Sequence, residues 1–419
     1  MCKVQIRLLV ITILFFVLAS SCKKNWLDAK PDKSLVVPSS IRDYQALLDA
    51  NTSGIAFNAN QNLLTEVATG EFYVDYPIFN SPSSTEIQQN TYRWATDIYG
   101  STEDRSEWDR PYRRILYTNI VLEGIEKIHP KTTTEQQEWN QVKGGALFLR
   151  AYNHYDIAQE FSKSYDKKEA ATDMGIPLRL SADFNERSFR STVAETYESI
   201  LSDLKQARSL LPVATPVSEV YKCRPTQAAA SAMLARVYLS MQKYDSALVY
   251  ANDCLQLYNV LIDYNVLPMP SPSSTTYSIP RFNDETIFFA RGITWFLLGT
   301  NRMIVDTNLV KLYEKDDLRL GHFIRSTSNI LRFYGSYDNS STLFTGLATD
   351  EVYLIRAECY ARSGALDLAK QDLTALLAKR YKKNTLSTIN FLDETDALNK
   401  ILQERRKELC FRGLRWSDL

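Results

Sequence analysis

Residues 235–254 read ARVYLSMQKYDSALVYANDC, and residues 357–376 read AECYARSGALDLAKQDLTAL. Each stretch opens on an alanine, carries a tyrosine three positions later, and has small or apolar residues twelve, sixteen and nineteen positions later. These residues are Tyr238, Ala247, Ala251 and Cys254 in the first stretch, and Tyr360, Ala369, Leu373 and Leu376 in the second. The spacing predicts two helices in each stretch, with small side chains on the faces that meet.

This spacing resembles the tetratricopeptide repeat, in which small residues lie where two antiparallel helices approach closely. Each stretch also has a hinge position between its helices, Gln242-Lys243 in the first and Ser363-Gly364 in the second. Gly364 stands where a left-handed helix C-cap favours glycine.

Two further segments, around Ala151 and Ala207, resemble the halves of another pair, separated by an insertion at about residues 163–191. Because one pair cannot bury its apolar face alone, we expect the pairs to stack into one curved layer. The predicted fold class is therefore mainly α, with a tetratricopeptide-like helical repeat layer. The helical pairs are expected around residues 140–211, 225–258 and 350–380.

Residues 263–349 have a different character. They hold four prolines within residues 268–280, many serines and threonines, and short apolar runs such as residues 287–290. A helix is predicted there only at about residues 306–315. We expect a loop-rich subdomain laid over the helical layer, and we also expect residues 51–105, rich in polar and aromatic residues, to be irregular.

The composition limits the class of partner. The chain has 419 residues, enough for one large domain or two ordinary ones. Lys and Arg together number 49, as do Asp and Glu, so the formal net charge is zero. A nucleic-acid partner would need a clustered basic surface, and the sequence has no such run, so we exclude nucleic-acid binding.

Residues 1–21 predict a secretion signal. Lys3 and Arg7 form a short positive region, and residues 8–18 are apolar except for Thr12. A helix of this length spans about 16 Å, too short for a hydrocarbon core of about 30 Å. Small residues before Cys22 and polar ones directly after it resemble a bacterial lipoprotein box, with an ordinary signal peptide and an incidental cysteine as the alternative.

The lipoprotein interpretation predicts cleavage before Cys22 and acylation of that residue, with palmitate among the chains. Several acyl chains hold a protein durably on a membrane. Residues 22–38, which include Pro31 and Pro38, would then be the anchor and a polar tether, and the folded domain would span residues 39–419.

The mature chain would keep four cysteines, none of them at the spacing of a metal site. They are Cys223, Cys254, Cys359 and Cys410. Cys254 and Cys359 lie on apolar faces of predicted helices, so we expect both to be small buried hydrophobic residues. The sequence leaves open whether Cys223 and Cys410 form disulfides, and it predicts no metal or cofactor.

Catalytic motifs are missing from the sequence. Its three histidines, His129, His154 and His322, are far apart, and it has no HExxH, GxSxG, Gly-rich phosphate loop or dinucleotide fingerprint. Acidic pairs such as Asp316-Asp317 could serve a glycosidase, but such pairs are common by chance. We predict that the protein is not an enzyme, with a surface hydrolase as a remaining alternative.

The aromatic residues give the positive signal for binding, with 24 Tyr, 18 Phe and 6 Trp. Flat rings on loops suit stacking against the apolar faces of sugar rings, while core packing is the alternative for each ring. The candidate ligand-binding residues are Trp94, Tyr92, Tyr99, Trp295 and Tyr277. Trp108 and Tyr112 are predicted to lie in the core, because their spacing with Leu116 makes one helix face.

Residues 401–419 read ILQERRKELCFRGLRWSDL, which resembles the C-terminal signature of SusD-like (RagB/SusD) outer-membrane lipoproteins of Bacteroidetes. Three other segments resemble the same family. They are residues 350–358 (DEVYLIRAE), Tyr313 with residues 317–319 (DLR), and residues 26–28 (WLD) with residues 43–44 and 47–48. The resemblance covers nearly the whole mature chain.

Two features depart from the signature. Arg412 stands where many members have glutamate, and the chain stops at Leu419, inside the signature, so we expect a truncated C-terminus. The signature residues combine carboxylates with guanidinium groups, and we expect them to stabilise the fold rather than bind ligand. These residues are Glu404, Arg405, Glu408 and Arg415.

The resemblance implies a function and a partner. SusD-like proteins bind a glycan, or in fewer cases a peptide, and deliver it to a SusC-like TonB-dependent transporter that they cap on the cell surface. By this resemblance we expect a surface-exposed outer-membrane lipoprotein that captures an oligomeric nutrient. The alternative is a tetratricopeptide-type outer-membrane scaffold with only protein partners, and a neighbouring gene for a TonB-dependent barrel would favour the first function.

Overall fold

A computed structural model describes residues 38–50, 56–59, 61–102, 105–213 and 222–419. The predicted signal peptide, the predicted acylation site Cys22 and nearly all of the predicted tether lie outside the described residues. Within the described ranges, no helix is both long enough and apolar enough to cross a bilayer.

The helices and strands are named here in chain order. The helices are α1 (Ile41–Leu48), α2 (Tyr76–Phe79), α3 (Glu86–Tyr92), α4 (Ser106–Ile125), α5 (Thr133–Phe161), α6 (Val193–Leu210), α7 (Gln227–Ser240), α8 (Tyr244–Leu257), α9 (Thr307–Val310), α10 (Leu318–Phe323), α11 (Thr349–Arg362), α12 (Leu366–Leu377), α13 (Glu394–Glu408) and α14 (Arg415–Asp418). The strands are β1 (Phe72–Tyr73), β2 (Met174–Pro177), β3 (Arg190–Thr192), β4 (Thr286–Phe288), β5 (Ile304–Val305), β6 (Ile324–Thr327), β7 (Ile330–Phe333) and β8 (Leu347–Ala348).

The long helices pack side by side in chain order. Helix α4 packs on α5, α5 on α6, α6 on α7, and α7 on α8. Helix α8 then packs on α11, and α11 packs on both α12 and α13. The prediction of a mainly α fold with a tetratricopeptide-like repeat layer is therefore confirmed.

Local signals explain where these helices begin and turn. Helix α6 begins after Thr192, whose hydroxyl accepts from Glu195 N at 3.1 Å while the Glu195 carboxylate accepts from Thr192 N at 2.8 Å. At the end of α11, Gly364 adopts the expected left-handed backbone, with a φ of 77°. Gln242 adopts the same region after α7, with a φ of 56°, although it is not glycine.

Small side chains line the contacts between paired helices. Cys254 and Cys359 are buried in the same core as expected, and burial raises the pKa of both thiols. Cys223 and Cys410, whose pairing the sequence left open, are free thiols in the structure. The repeat alanines are all buried, and they are Ala235, Ala247, Ala251, Ala357 and Ala369.

The loop-rich region is built from two-stranded antiparallel ladders. Strand β4 pairs with β8, β6 pairs with β7, and β5 pairs with β1 from the N-terminal segment. Strands β4 and β8 pack on α7, and the ring of Phe288 in β4 lies 4.9 Å from that of Phe148 in α5. These contacts place the loop-rich subdomain against the helical layer.

Two predictions about irregular segments need correction. The helix expected over residues 306–315 is only α9, Thr307–Val310, which begins where the Asp306 side chain accepts from Asn308 N. Residues 51–105, expected to be irregular, contain α2, α3, β1 and a 3-10 turn at Leu64–Ala68. Elements this short do not show the periodicity on which the sequence prediction rests.

The signature helix α13 contributes to a buried ionic network. The Arg319 guanidinium, fully buried, lies 2.7 Å from Asp317, 2.7 Å from Glu404 and 2.9 Å from Glu408. The expectation that the signature residues form carboxylate–guanidinium pairs is confirmed, since two further pairs are also present. These pairs are Arg405 with Asp418 and Arg415 with Glu71.

Three carboxylates of this network converge within 4.8 Å of one another, those of Glu285, Asp350 and Glu408. Arg380 neutralises two of them, at 2.6 Å from Glu285 and 2.8 Å from Glu408. Arg412 pairs with Asp350 at 2.6 Å. The cluster is therefore an ion-pair network that joins the loop-rich subdomain to α11 and α13.

Candidate functional site

Trp94 stands on the turn that ends helix α3. Its backbone has a φ of 57°, and Ala95 N donates to Asn90 O at 2.9 Å, which closes the helix end. A bulky residue in this backbone region is uncommon and is held there by its surroundings. The indole Nε1 donates to Ala68 O at 3.0 Å, yet the side chain remains 66% exposed. One edge of the ring is therefore fixed while the rest faces solvent.

A second indole faces Trp94 from the C-terminal signature. The rings of Trp94 and Trp416 meet edge to face, with centroids 5.8 Å apart and an interplanar angle of 73°. Trp416 lies on α14 and is 37% exposed. Edge-to-face packing restrains both rings without covering their faces completely.

The opposite wall comes from the end of α5, the insertion after it, and α6. The rings of Tyr165 and Tyr197 pack edge to face at 5.2 Å, and Gln159 Nε2 donates to the Tyr197 hydroxyl at 2.9 Å. The ammonium group of Lys243 lies 5.5 Å from the centre of the Tyr165 ring. These contacts fix the orientation of the wall.

Together these walls enclose an open hollow of about 370 Å³, which we call the Trp94 hollow. Its volume lies in the range of small-molecule sites, and its lining mixes aromatic rings with hydroxyl and amide groups. Such a lining can stack on an apolar ring face and hydrogen-bond its edge. The lining residues that matter here are Trp94, Gln159, Ser162, Ser164, Tyr165, Tyr197, Ser240, Trp416 and Ser417.

The other sequence candidates lie outside this hollow. The Tyr92 hydroxyl accepts from Val74 N at 3.3 Å, and its ring packs on Phe79 with centroids 5.7 Å apart. Tyr99 is half-buried beneath the guanidinium of Arg105, and burial raises the pKa of its phenol to about 12. Whether either ring contacts a ligand stays a prediction.

The structure corrects the prediction that Trp295 is a ligand-binding residue. Trp295 was expected on an exposed loop, but it is only 6% exposed, and its Nε1 donates to Glu107 Oε1 at 2.8 Å. Trp295 is therefore a core residue in this structure. Tyr277 is half-buried, shares a hydrogen bond of 3.1 Å with Thr300 Oγ1, and packs on Tyr334 away from the Trp94 hollow.

Sequence reasoning missed the other rings of the hollow. Trp416 lies within the C-terminal signature and had no role predicted for it, and Tyr197 belongs to a helix face that periodicity assigns to the core. Tyr165 lies in the insertion, for which no helix or strand was predicted. The sequence feature that could have identified Tyr165 as a candidate is an aromatic residue that follows serine just after the end of a helix, as in Ser164-Tyr165.

A second aromatic groove, of about 340 Å³, lies beside α4. Trp108 and Tyr112, predicted to be core, are only partly buried and line this groove, with ring centroids 4.9 Å apart. The Tyr112 hydroxyl donates to Pro177 O at 2.8 Å, and the ring of Phe184 stands 81% exposed at the rim. The i, i+4 spacing of these rings predicted a buried helix face, but in the structure that face lines an open groove.

The described histidines of the helical layer and subdomain are not placed for chemistry at the hollow. His154 is fully buried in α5, and burial lowers its pKa to about 3. His322 is buried in α10, and burial lowers its pKa to about 4. Both imidazoles are therefore neutral at physiological pH, and neither lines the Trp94 hollow.

Two family models match the chain. One, described as starch-binding and associating with the outer membrane, matches residues 25–239. The other, described as the SusD family, matches residues 347–419. A search of curated proteins found no match.

Solved structures show the same fold at low sequence identity. A SusD superfamily protein from Bacteroides thetaiotaomicron is 21% identical with a TM-score of 0.70, over 90% of this chain and 88% of that one. A putative sugar binding protein from Bacteroides vulgatus is 20% identical with a TM-score of 0.69, over 91% and 87%. A SusD superfamily protein from Bacteroides fragilis is 22% identical with a TM-score of 0.71, over 91% and 90%.

Proposed function

Since the chain belongs to the SusD family, we propose that it is a non-catalytic, glycan-binding lipoprotein of the outer membrane. It captures an oligomeric glycan at the Trp94 hollow and delivers it to a SusC-like TonB-dependent transporter. Acyl chains on Cys22 hold it at the cell surface, because two or more chains give durable membrane attachment.

The exposed indole of Trp94 is the observation that carries this proposal. The Trp94 ring is held in place by its hydrogen bond to Ala68 O and its contact with Trp416, yet 66% of the side chain stays exposed to water. A sugar face stacked on that ring would remove apolar surface from water, contributing about 0.5–1.5 kcal/mol beyond the area that it buries. The hydroxyl and amide groups nearby match the hydroxyl edge of a sugar.

The names given to related proteins support a glycan as the ligand. One matching family is described as starch-binding, and two of the similar structures are named a putative sugar binding protein and a SusD-like carbohydrate binding protein. We therefore propose a glycan rather than a peptide. An open hollow buries little ligand area, so we expect micromolar to millimolar dissociation constants.

Trp94→Ala tests the proposal. We expect glycan affinity to fall about tenfold or more, because the stacking surface is lost. Binding of the parent and the variant to a panel of oligosaccharides would be measured by titration calorimetry, with folding checked by circular dichroism. Tyr76→Ala is the matched control, since Tyr76 is also a large exposed ring, 73% exposed, but does not line the hollow.

Unchanged affinity in folded Trp94→Ala would contradict the proposed site. If that variant does not fold, Trp416→Ala removes the facing ring while Trp94 keeps its hydrogen bond to Ala68. Release of shortened products from any bound glycan would show that the protein is a hydrolase and would contradict the non-catalytic function.

A scaffold that binds only proteins is the second candidate function, and one observation favours it. The insertion after α5 exposes four large apolar side chains, and such exposure is typical of surfaces that contact another protein. They are Met174, Leu180, Phe184 and Phe189. A protein that binds no oligosaccharide of the panel but retains protein partners through Phe184 would support the scaffold.

A further inference from the structure

A narrow polar crevice adjoins the Trp94 hollow. Gln159 and Ser417 line both spaces. The crevice has a volume of about 40 Å³, whereas one water molecule needs about 10–15 Å³ of such space. It therefore has room for a single small polar group and its water, and no room for a sugar ring.

The walls of the crevice carry two carboxylates from one face of α5. Asp156 and Glu160 are four positions apart and both line it. Asp156 Oδ2 accepts from Asn62 N at 3.3 Å, and Glu160 Oε2 accepts from Asn62 Nδ2 at 2.9 Å. The buried guanidinium of Arg114 also acts on Asp156 and lowers its pKa. Burial raises the pKa of both side chains, to about 6 for Asp156.

The two arginines that line the same crevice are already neutralised. Arg236 donates to both oxygens of Glu351, at 2.7 and 2.6 Å. Arg412 donates to both oxygens of Asp350, at 3.0 and 2.6 Å. Among the described residues, the ion pairs of both guanidinium groups are therefore made with carboxylates other than Asp156 and Glu160. Asp156, with a pKa of about 6, is then an ionised carboxylate of the crevice at neutral pH.

Two buried acceptor groups in the crevice wall also lack partners. Asn62 is 8% exposed, and its Nδ2 donates to Glu107 O and Glu160 Oε2, so the atom left unsatisfied is Oδ1. Thr345 is 7% exposed, and its Oγ1 has no hydrogen-bond partner. Asn62 Oδ1 can only accept, and the Thr345 hydroxyl can accept as well as donate. Both can therefore receive a hydrogen bond from an ammonium group, which has three donors and no acceptor.

We infer that this crevice receives a primary ammonium group of the ligand, so that the preferred glycan is an amine-bearing oligosaccharide. This inference rests on the proposed function, since the sugar ring occupies the Trp94 hollow above. The ammonium group donates to the carboxylates of Asp156 and Glu160 and to Asn62 Oδ1. A neutral sugar would leave these acceptors without a charged partner.

A divalent cation fits the crevice less well. Calcium takes six to eight oxygen ligands at 2.3–2.6 Å, which brings ligand oxygens close together. Among the described residues, the three acidic groups that converge within 4.8 Å are Glu285, Asp350 and Glu408, not those of the crevice. Calcium binding is therefore an alternative outcome for the experiment to detect.

The experiment compares three tetrasaccharides of the same linkage by titration calorimetry. They are the β-1,4-linked tetramers of glucosamine, N-acetylglucosamine and glucose. We expect the glucosamine tetramer to bind about tenfold more tightly than the other two, since hydrogen bonds to charged groups are roughly twice as strong as neutral ones. Raising the salt concentration should weaken only the glucosamine tetramer.

Variants locate the effect in the crevice. Asp156→Asn and Glu160→Gln should each reduce the advantage of the glucosamine tetramer and leave the neutral tetramers unchanged. Glu138→Gln removes the same charge from an exposed position of α5 and should change nothing. If the crevice variants do not fold, the salt dependence of the parent still decides the question.

Equal affinity of the parent for the three tetramers would overturn the inference and leave the proposed function standing. If the glucosamine tetramer does not bind while another glycan binds and requires Trp94, the ammonium site is likewise overturned and the proposed function stands. If no oligosaccharide binds, both the ammonium site and the proposed function are overturned. Binding of calcium chloride alone, lost in Asp156→Asn, would replace the ammonium site with a metal site.

Discussion

Arg412 and Asp350 form a paired charge that is almost closed to solvent. Both guanidinium donors reach Asp350, and the Arg412 guanidinium also lies 4.1 Å from the centre of the Tyr337 ring. In the signature that residues 401–419 resemble, many SusD-like proteins have glutamate at this position. The pairing shows why arginine is accommodated here: it supplies the positive charge that the buried carboxylate of Asp350 requires.

Arg412→Glu should destabilise the fold severely. The new carboxylate would lie beside Asp350 without a cation, and breaking a buried ion pair costs about 3–5 kcal/mol of unfolding free energy. Urea unfolding followed by circular dichroism measures the change. Arg42→Glu reverses a charge at an exposed position of α1 and is the control. Equal midpoints for Arg412→Glu and the parent would show that this pair does not stabilise the fold.

At the scale of the helix, the signals that could be predicted are local ones. The repeat alanines, the Thr192 cap and the glycine of the α11 turn act within one helical turn of their own position, so the sequence displays them. The burial of Trp295 could not be predicted, because its partner Glu107 lies 188 positions away. The repeat layer was therefore predicted, whereas the extent of the helix expected over residues 306–315 and the burial of Trp295 were not.

Ala357→Trp tests the contact between α11 and its neighbours. Ala357 is 1% exposed, so a large ring there would force the helices apart and lower the unfolding free energy by about 1–3 kcal/mol or more. Thermal melting measures the loss. Ala375→Trp places the same ring on an exposed position of α12 and should melt like the parent. An unperturbed Ala357→Trp would mean that the tetratricopeptide alignment is misplaced.

At the scale of the whole molecule, the layered architecture could be predicted, and the Trp94 hollow could not. The layer repeats one helical pair, so its pattern recurs along the chain. The hollow joins Trp94, Tyr165, Tyr197 and Trp416, which come from distant parts of the sequence. Only Trp94 was identified beforehand, because it lies in a polar segment where periodicity did not assign it to the core.

Buried carboxyl groups give the whole molecule a dependence on pH. Burial raises the pKa of Glu66 and of Glu107 to about 8 each. In the unfolded chain a glutamate ionises near its ordinary pKa of about 4.3, whereas these two keep their protons in the fold to a much higher pH. Between those values the folded state holds more protons than the unfolded state, so stability falls as pH rises.

Glu107→Gln should remove part of this dependence. The amide is neutral at every pH and its oxygen can still accept from Trp295 Nε1. We expect the melting temperature of the variant to approach or exceed that of the parent as the pH rises from 5 to 8, with the smallest advantage at pH 5. Parallel melting curves for both proteins across this range would contradict the assignment.

The ionic network of α13 also constrains when folding can finish. A chain leaves the ribosome from its N-terminus, so Glu404 and Glu408 are made after the buried arginines Arg319 and Arg380 that they neutralise. Before α13 is made, Arg319 has Asp317 and Arg380 has Glu285 as a carboxylate partner. Burying either guanidinium group without α13 would therefore cost more free energy than burying it with the complete set of partners. The signature helix thus completes the charge balance of a subdomain that precedes it in the chain.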